Sequence, residues 1–342
     1  MSPEKLIYPI FLPHAGCPFQ CVYCNQRAVV PHDHRERDIL DLTESCLRTY
    51  ADQVRRSGRS GEIAFFGGTF SALPPALMES ILALVSPAVK EGVFTGIRFS
   101  TRPDCLEDEV VDILSKYPIR TVELGVQSLS DSVLRKVRRG YGAGSVYEAA
   151  KRIRDKKWKL GIQLMAGLPG ENHRLFLQSV RKTVGIGPDF LRIYPTLVLE
   201  GTALAESFRK GLYAPLSLDE AVAWIAPAYE LAIRARIPVI RMGLHPDPAL
   251  EMPGVILAGP YHPAFGCLVK CRWWRDRMDR HFASLPTLSG GRVILLVSPR
   301  QVSDVIGHRK SNLQHWQDRW GITATVAGDG RLAGIEVIVN SS

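Results

Sequence analysis

Long apolar runs are missing from this 342-residue chain; none approaches the ~20 residues that a membrane-crossing helix needs. No membrane partner is therefore expected. The opening MSPEKLIYPIF has only a short apolar run, with no small-residue cleavage site behind it, so no secretory leader is expected either. The expectation is a soluble, cytoplasmic protein. Cysteines are few, seven in all, and their number is odd. A disulfide scaffold would be small, secreted and dense in cysteine, so metal or cluster ligation is the better use for these. Low-complexity segments and short-period repeats are also absent. The composition is otherwise ordinary, with 46% apolar and 23% charged residues, and the chain is long enough for one large domain and one small one.

What is present begins with charge. The net charge is +9, which suits a polyanionic partner such as nucleic acid but does not by itself require one. From residue 6 to about 245, short apolar runs alternate with longer amphipathic stretches. The runs are LIYPIFL, EIAFFG, GIRFST, TVELGV, KLGIQLM and FLRIYPT, with PVIRM as a candidate seventh. Continuous apolar strands alternating with helices predict a parallel sheet covered by helices. Six or seven such units suit a full or partial (β/α) barrel, in which chemistry gathers on the loops after the strands. The unusual sequence falls there: the cysteines after the first run, Gly67-Gly68-Thr69 after the second, Thr101-Arg102-Pro103-Asp104 after the third, Gln127-Ser128 after the fourth and Gly167 to Glu171 after the fifth.

The stretch HAGCPFQCVYCNQ holds Cys17, Cys21 and Cys24 in a C-x3-C-x2-C spacing, and the next cysteine is Cys46. Structural zinc takes four protein ligands, often as two distant C-x2-C pairs, and no matching pair is evident. Three thiolates on a [4Fe–4S] cluster would leave one iron open to bind a small molecule. A zinc or redox-inert trio is the alternative.

With that motif the sequence resembles the radical S-adenosylmethionine (SAM) superfamily, whose hallmark is C-x3-C-x2-C after the first strand of a partial barrel, with an aromatic before the third cysteine; Tyr23 supplies it. The resemblance implies a [4Fe–4S] cluster on Cys17, Cys21 and Cys24, with SAM chelated at the open iron and cleaved reductively to a 5′-deoxyadenosyl radical. It also implies an external electron donor. FFGGTFS looks like the family's glycine-rich segment, which implies that Gly67, Gly68 and Thr69 meet the methionine amino group. Ser100, Arg102, Gln127 and Ser128 are candidates for the ribose and carboxylate side, and Gly167 opens a segment resembling the one near adenine. Glu123 faces the same way as Gln127 and either lines the cofactor site or is a charge satisfied inside the barrel by Arg98 or Arg192.

Longer strings, GGTFSALP, STRPD, ELGVQSLSDSVLRKVRRG and LRIYPTLVLEGTALAESFRKGLY, resemble the core of the Elongator catalytic subunit, a tRNA wobble-uridine modifier. That family spreads its first two cluster cysteines further apart and ends in an acetyltransferase domain. Here the spacing is compact and no acetyl-CoA loop is evident, so acetyl-CoA is not carried over. The compact spacing and the GVQS string are shared with the oxygen-independent coproporphyrinogen oxidases, but YPIFLPHAGC is only loosely similar to their lead-in.

In the tail, a strand, a helix, a tight loop, a second helix and a strand resemble a KH domain, which clamps RNA with a Gly-x-x-Gly loop. The loop is Gly307-His308-Arg309-Lys310, with Lys310 in place of the second glycine. Its cations suit phosphate contact; the plain alternative is a cap on the barrel. From Cys267 onward 11 Lys/Arg stand against 6 Asp/Glu. Trp273 and Trp274, set among arginines, could stack bases or pack a helix on the barrel. Cys267 and Cys271 are either two helix-face cysteines or part of a second metal site, with His262, Cys46 and Cys105 as candidate partners. His245 could face substrate or cap the last strand.

The fold expected is α/β: a partial (β/α)6-type radical SAM barrel over residues 1–245, an irregular segment and basic helix packed on it over 246–285, and a small KH-like α+β domain over 286–342. The function expected is a radical SAM enzyme modifying RNA, with tRNA first. The partners are RNA and the electron donor, and DNA is not expected. The alternatives are a radical SAM enzyme on a small molecule such as a porphyrin, and an RNA-binding protein with a structural or redox-sensing cluster.

Overall fold

A strand covered on both faces must be buried nearly throughout, and GEIAFF and GIRFST are, with Glu62 and Arg98 as their charged residues. In the computed structural model, which describes residues 6–12, 15–18, 20–25, 36–284, 291–332 and 334–340, both are central strands of one parallel sheet. His14, Gln26 and the first residues of the expected small domain, 286–290, lie outside the described residues. The sheet has seven strands: β1 (Leu6–Phe11), β2 (Gly61–Phe66), β3 (Gly96–Thr101), β4 (Ile119–Gln127), β5 (Lys159–Ala166), β6 (Phe190–Pro195) and, beyond a short β7 (Val198–Leu199), β8 (Val239–Met242). They pair strictly in chain order, all parallel, and β1 and β8 do not close on each other. The result is a half-barrel with PVIRM as its seventh strand.

Helices fill the crossovers: α1 (Glu36–Ser57), α2 (Pro75–Lys90), α3 (Asp108–Ser115), α4 (Asp131–Lys136), α5 (Ala143–Asp155), α6 (His173–Ile186), α7 (Ala203–Arg209) and α8 (Leu218–Arg234). The short α4 was not evident from apolar spacing. Ser217 and Glu220 form a capping box that starts α8, satisfying two end donors. On the concave side, Glu62 and Glu123 are buried and held by Arg98, which donates to both at 2.5–2.8 Å. Thr121 completes Glu62, and Arg192 donates to Glu123 at 2.7 Å. Buried charges persist only when paired in this way.

Residues 246–266 add β9 (Ile256–Ala258), which pairs antiparallel with β7. The basic helix, α9 (Phe265–Ala283), packs on α8 at the β8 edge rather than over the sheet's mouth. Trp273 and Trp274 are both buried there, edge to face at 4.6 Å, and Trp273 donates its indole N–H to Glu230. This corrects the base-stacking reading of these two residues: the apolar face of the helix needed covering, and α8 was the neighbour.

The tail forms a second sheet, β11–β10–β12, from β10 (Gly291–Val297), β11 (Ile322–Gly328) and β12 (Ile335–Asn340). Helices α10 (Val302–Ile306) and α11 (Ser311–Trp320) make the crossover between the parallel strands β10 and β11, and β12 is antiparallel to β10. Trp316 is fully buried and meets Phe282 of α9 edge-on at 5.9 Å. Asp279 of α9 accepts from the Trp320 indole at 2.9 Å and lies 2.8 Å from His315 Nε2. One contiguous core therefore runs from Tyr8 in β1 to Ile322 in β11.

Candidate active site

Because all seven strands run the same way, their C-terminal ends and following loops gather at one end of the half-barrel. They surround a cavity of about 600 Å³, open on one side. Cys17, Cys21 and Cys24 line it on the loop after β1. Gly67, Gly68 and Thr69, on the loop after β2, line the same wall.

These two loops interlock backbone to backbone. A Cβ on Gly68 would stand 2.2 Å from the Ala15 carbonyl oxygen, and one on Gly16 would stand 2.3 Å from the Thr69 carbonyl oxygen. Thr69 N–H donates to the Ala15 carbonyl at 2.9 Å, and Thr69 Oγ1 lies 3.3 Å from Cys17 Sγ. Gly67 has φ +99°, which glycine adopts without strain. The glycines are thus required by the meeting of the loops. The cysteine loop is also tied at its far end, where Leu204 N–H donates to Val22 O and Asn25 donates to Glu200 O.

The trio fits a cluster better than a single ion. Among the described residues, the one group of three Cys, His or acidic donors lying within 4.8 Å of one another is elsewhere, so at least one pair of these three sulfurs stands farther apart than a lone zinc would hold it. Arg139 donates to Cys21 Sγ at 3.3 Å, and its positive charge suits a thiolate-rich, anionic group.

Ser100, Arg102, Glu123 and Gln127 also line the cavity. Arg102 is clamped by Asp104 through two hydrogen bonds of 2.8–3.0 Å and also donates to the Arg139 carbonyl. Glu123 reaches the wall but is held between Arg98 and Arg192, so the expectation of a charge satisfied within the barrel also holds. Gln127 sits at φ +68° where the β4–β5 register slips, and Gln163 donates to its Oε1 at 3.1 Å. A non-glycine residue in that region is strained, and here the strain aims a polar side chain at the cavity.

Gly167 is not brought to the cavity wall. Its N–H donates to Glu171 at 3.0 Å and its carbonyl accepts from Tyr213 at 2.7 Å. Glu171 itself is partly buried, and the loss of water around it pushes its carboxyl up to about 8. Ser128 also turns away, towards Ser179 and Glu171.

Sequence reasoning missed Arg139 and Tyr141. Arg139 is buried and donates to Gly125 O, Tyr141 and Cys21, binding the strand-four loop to the cysteine loop. Its signal was the end of the string VRRGY, just past the helix after β4. The outer wall carries Phe11, Tyr194, Arg241 and His245. Arg241 bonds to two main-chain carbonyls and to His245 Nδ1 at 2.9 Å, so His245 faces the cavity. The loop Gly307 to Lys310 lies away from this cavity. Gly307 has φ +81°, and Arg309 and Lys310 hold φ +51° and +63°, so Lys310 adopts the conformation a second glycine would favour. Their side chains are exposed.

Comparison with known proteins agrees with this arrangement. Residues 11–182 match the Radical SAM superfamily, and residues 188–275 match the Radical_SAM C-terminal domain. The chain is 27% identical over 231 residues to the tRNA uridine(34) acetyltransferase of Dehalococcoides mccartyi, covering 58% of this chain and 50% of that protein. It is 30% identical over 203 residues to Elongator complex protein 3 of Saccharomyces cerevisiae, covering 52% and 36%. The chain spans less than two thirds of the length of the curated relatives it matches. In fold it is similar to the archaeal Methanocaldococcus infernus Elp3 lacking its N-terminus, with a TM-score of 0.58, 20% identity, and coverage of 80% of this chain and 62% of that one. No helix among the described residues is long and apolar enough to cross a membrane. With the cysteine trio, the interlocked glycine loop and the half-barrel in place, the chain belongs to the radical SAM superfamily, whose members are enzymes using a [4Fe–4S] cluster and SAM.

Proposed function

We propose that this chain cleaves SAM reductively and applies the resulting radical to an RNA substrate, with tRNA as the substrate class. The observation that carries the reading is the convergence of Cys17, Cys21, Cys24 and the Gly67–Thr69 loop on one open cavity whose outer wall is cationic. When bound, the cluster and SAM supply a 5′-deoxyadenosyl radical able to abstract hydrogen.

The chain's own residues hold and orient these groups. Cys17, Cys21 and Cys24 would ligate three irons, with Thr69 and Arg139 fixing two of the sulfurs. Gly67, Gly68 and Thr69 would receive the methionine end of SAM, and Ser100 and Gln127 its ribose side. Arg102 and Glu123 act as positioning residues, because their charges are already spent on Asp104 and on two arginines. Gly167 would act only through the loop it shares with Glu171. Arg241, with no carboxylate within ion-pair distance among the described residues, and His245 would meet the anionic substrate at the mouth. An external donor would supply the electron.

The likeness to the tRNA uridine(34) acetyltransferase of Dehalococcoides mccartyi supports tRNA as substrate. Acetyl transfer is outside the proposal, because the aligned part covers only half of that protein. The loop Gly307–Lys310, exposed at His308, Arg309 and Lys310, would add phosphate contacts. The test is anaerobic: reconstitute with iron and sulfide, add SAM and reductant, and quantify 5′-deoxyadenosine with and without bulk tRNA. Strong stimulation by tRNA is expected. Cleavage indifferent to tRNA would overturn the RNA half and move the substrate to a small molecule. No cleavage by cluster-loaded protein would overturn the whole.

A further inference from the structure

The cysteines of the basic helix do not meet His262, Cys46 or Cys105. His262 is turned to its own turn, where Nδ1 accepts from Ala264 N–H. Cys105 sits beside Asp104, near the cluster loop. The neighbour that Cys267 and Cys271 do have is Asp304, from α10 of the tail.

The three donors form a compact group. Cys267 Sγ lies 3.9 Å from Cys271 Sγ and 3.7 Å from Asp304 Oδ1, and all three ligand atoms lie within 4.8 Å of one another. A tetrahedral ion with bonds of about 2.3 Å to sulfur and 2.0–2.2 Å to oxygen needs donors roughly 3.5–3.8 Å apart. The two separations from Cys267, 3.9 Å and 3.7 Å, are close to that range, and the third donor pair lies within 4.8 Å. Cys271 is buried and Cys267 exposed, so an ion would be anchored inside and reachable from solvent.

The surroundings are those of a ligand set. Asn312 donates to the carbonyls of Cys271 and Val305 at 2.9–3.0 Å. Such outer contacts orient metal ligands. Burial, and then the neighbouring Cys267, push the Cys271 thiol up to about 12, while burial raises the Asp304 carboxyl.

We propose that Cys267, Cys271 and Asp304 bind one thiophilic divalent cation of the zinc class, with water in the fourth position. The site is separate from the cavity and spans α9 and α10, so the ion would pin the tail to the barrel's last helix. Because α10 leads directly into Gly307, the ion would also brace the exposed cationic loop. Neither statement depends on the SAM or RNA reading.

The test uses full-length, cluster-loaded protein under reductant, exposed to buffered Zn(II), with zinc and iron quantified together. About one zinc per chain is expected, with iron unchanged. The Cys267→Ser/Cys271→Ser double variant should lose that zinc and keep its iron. Asp304→Asn should weaken zinc about tenfold against a competing chelator. In a second arm, the Cys17→Ala/Cys21→Ala/Cys24→Ala chain, free of cluster absorption, is titrated with Co(II). A near-ultraviolet thiolate-to-cobalt band that disappears when Cys267 and Cys271 are also replaced supports the site. Substoichiometric zinc at micromolar free metal, or zinc kept by the Cys267→Ser/Cys271→Ser variant, overturns it.

Discussion

The two sheets of this molecule obey different rules. In the half-barrel, β2 and β3 are buried along nearly their whole length, because helices lie outside and the paired charges and cavity lie inside. In the tail, β10 alternates buried and less buried residues, because only one face meets helices. The first arrangement directs seven strand ends to one place, so loops far apart in sequence become neighbours. The second presents a single loop, Gly307 to Lys310, outward. A parallel half-barrel concentrates chemistry; a three-stranded sheet with one covered face displays a contact surface. Yet the two share one core through α9.

The sharpest way to break this comparison is to remove the trio. Cys17→Ala, Cys21→Ala or Cys24→Ala should abolish 5′-deoxyadenosine formation, while circular dichroism and RNA affinity stay as in the parent chain. Normal cleavage by any of the three would sink the cluster assignment. Next in size is Trp316→Ala. It removes a fully buried indole at the junction and should cost about 3–5 kcal/mol in denaturant unfolding. If barrel and tail then unfold in separate steps, the shared core is weaker than the packing indicates.

A third test concerns Glu171, whose carboxyl is raised by burial from 4.5 to about 8. Folding therefore takes up a proton between those values. The stability from the neutral carboxyl is complete below pH 4.5 and is lost as pH rises through about 8. Glu171→Gln should flatten that decline, a change on the order of a few kcal/mol at most, read as urea midpoints at pH 5 and pH 8. Equal pH slopes in the two proteins would show that Glu171 is ionised throughout. The smallest effect belongs to the tail. Replacing Arg309 and Lys310 with alanine should weaken RNA binding several-fold and reduce its salt slope by about two, with cluster content unchanged. An unaltered slope would make the tail a cap.

What could be read from sequence follows the same division. Cys17, Cys21, Cys24 and Gly67 to Thr69 were legible because their chemistry fixes both residue type and spacing. The strands were legible because two-sided burial leaves mostly apolar runs, interrupted by paired charges such as Glu62, Arg98 and Glu123. Arg139 was not, since its partners Cys21 and Gly125 lie on the cysteine loop and in β4 and nothing local marks the contact. Gly167 was placed by analogy of position, but Glu171 and Tyr213 claim its main chain. Trp273 and Trp274 were ambiguous because a cationic, aromatic helix reads alike whether its rings face α8 or solvent. Asp304 escaped notice because only the docking of α10 on α9 brings it to Cys267.

The interlocked loops at the cavity carry a consequence for how this chain can vary. Gly16 and Gly68 each occupy space that the other loop's backbone needs. Neither can accept a side chain unless the opposite loop withdraws, so a stepwise mutational path through either position alone is closed. The cysteine loop and the glycine loop are heritable only as a matched pair. A chimera that took one of them from a distant relative would place its thiols against the wrong partner, however faithfully the C-x3-C-x2-C spacing were copied.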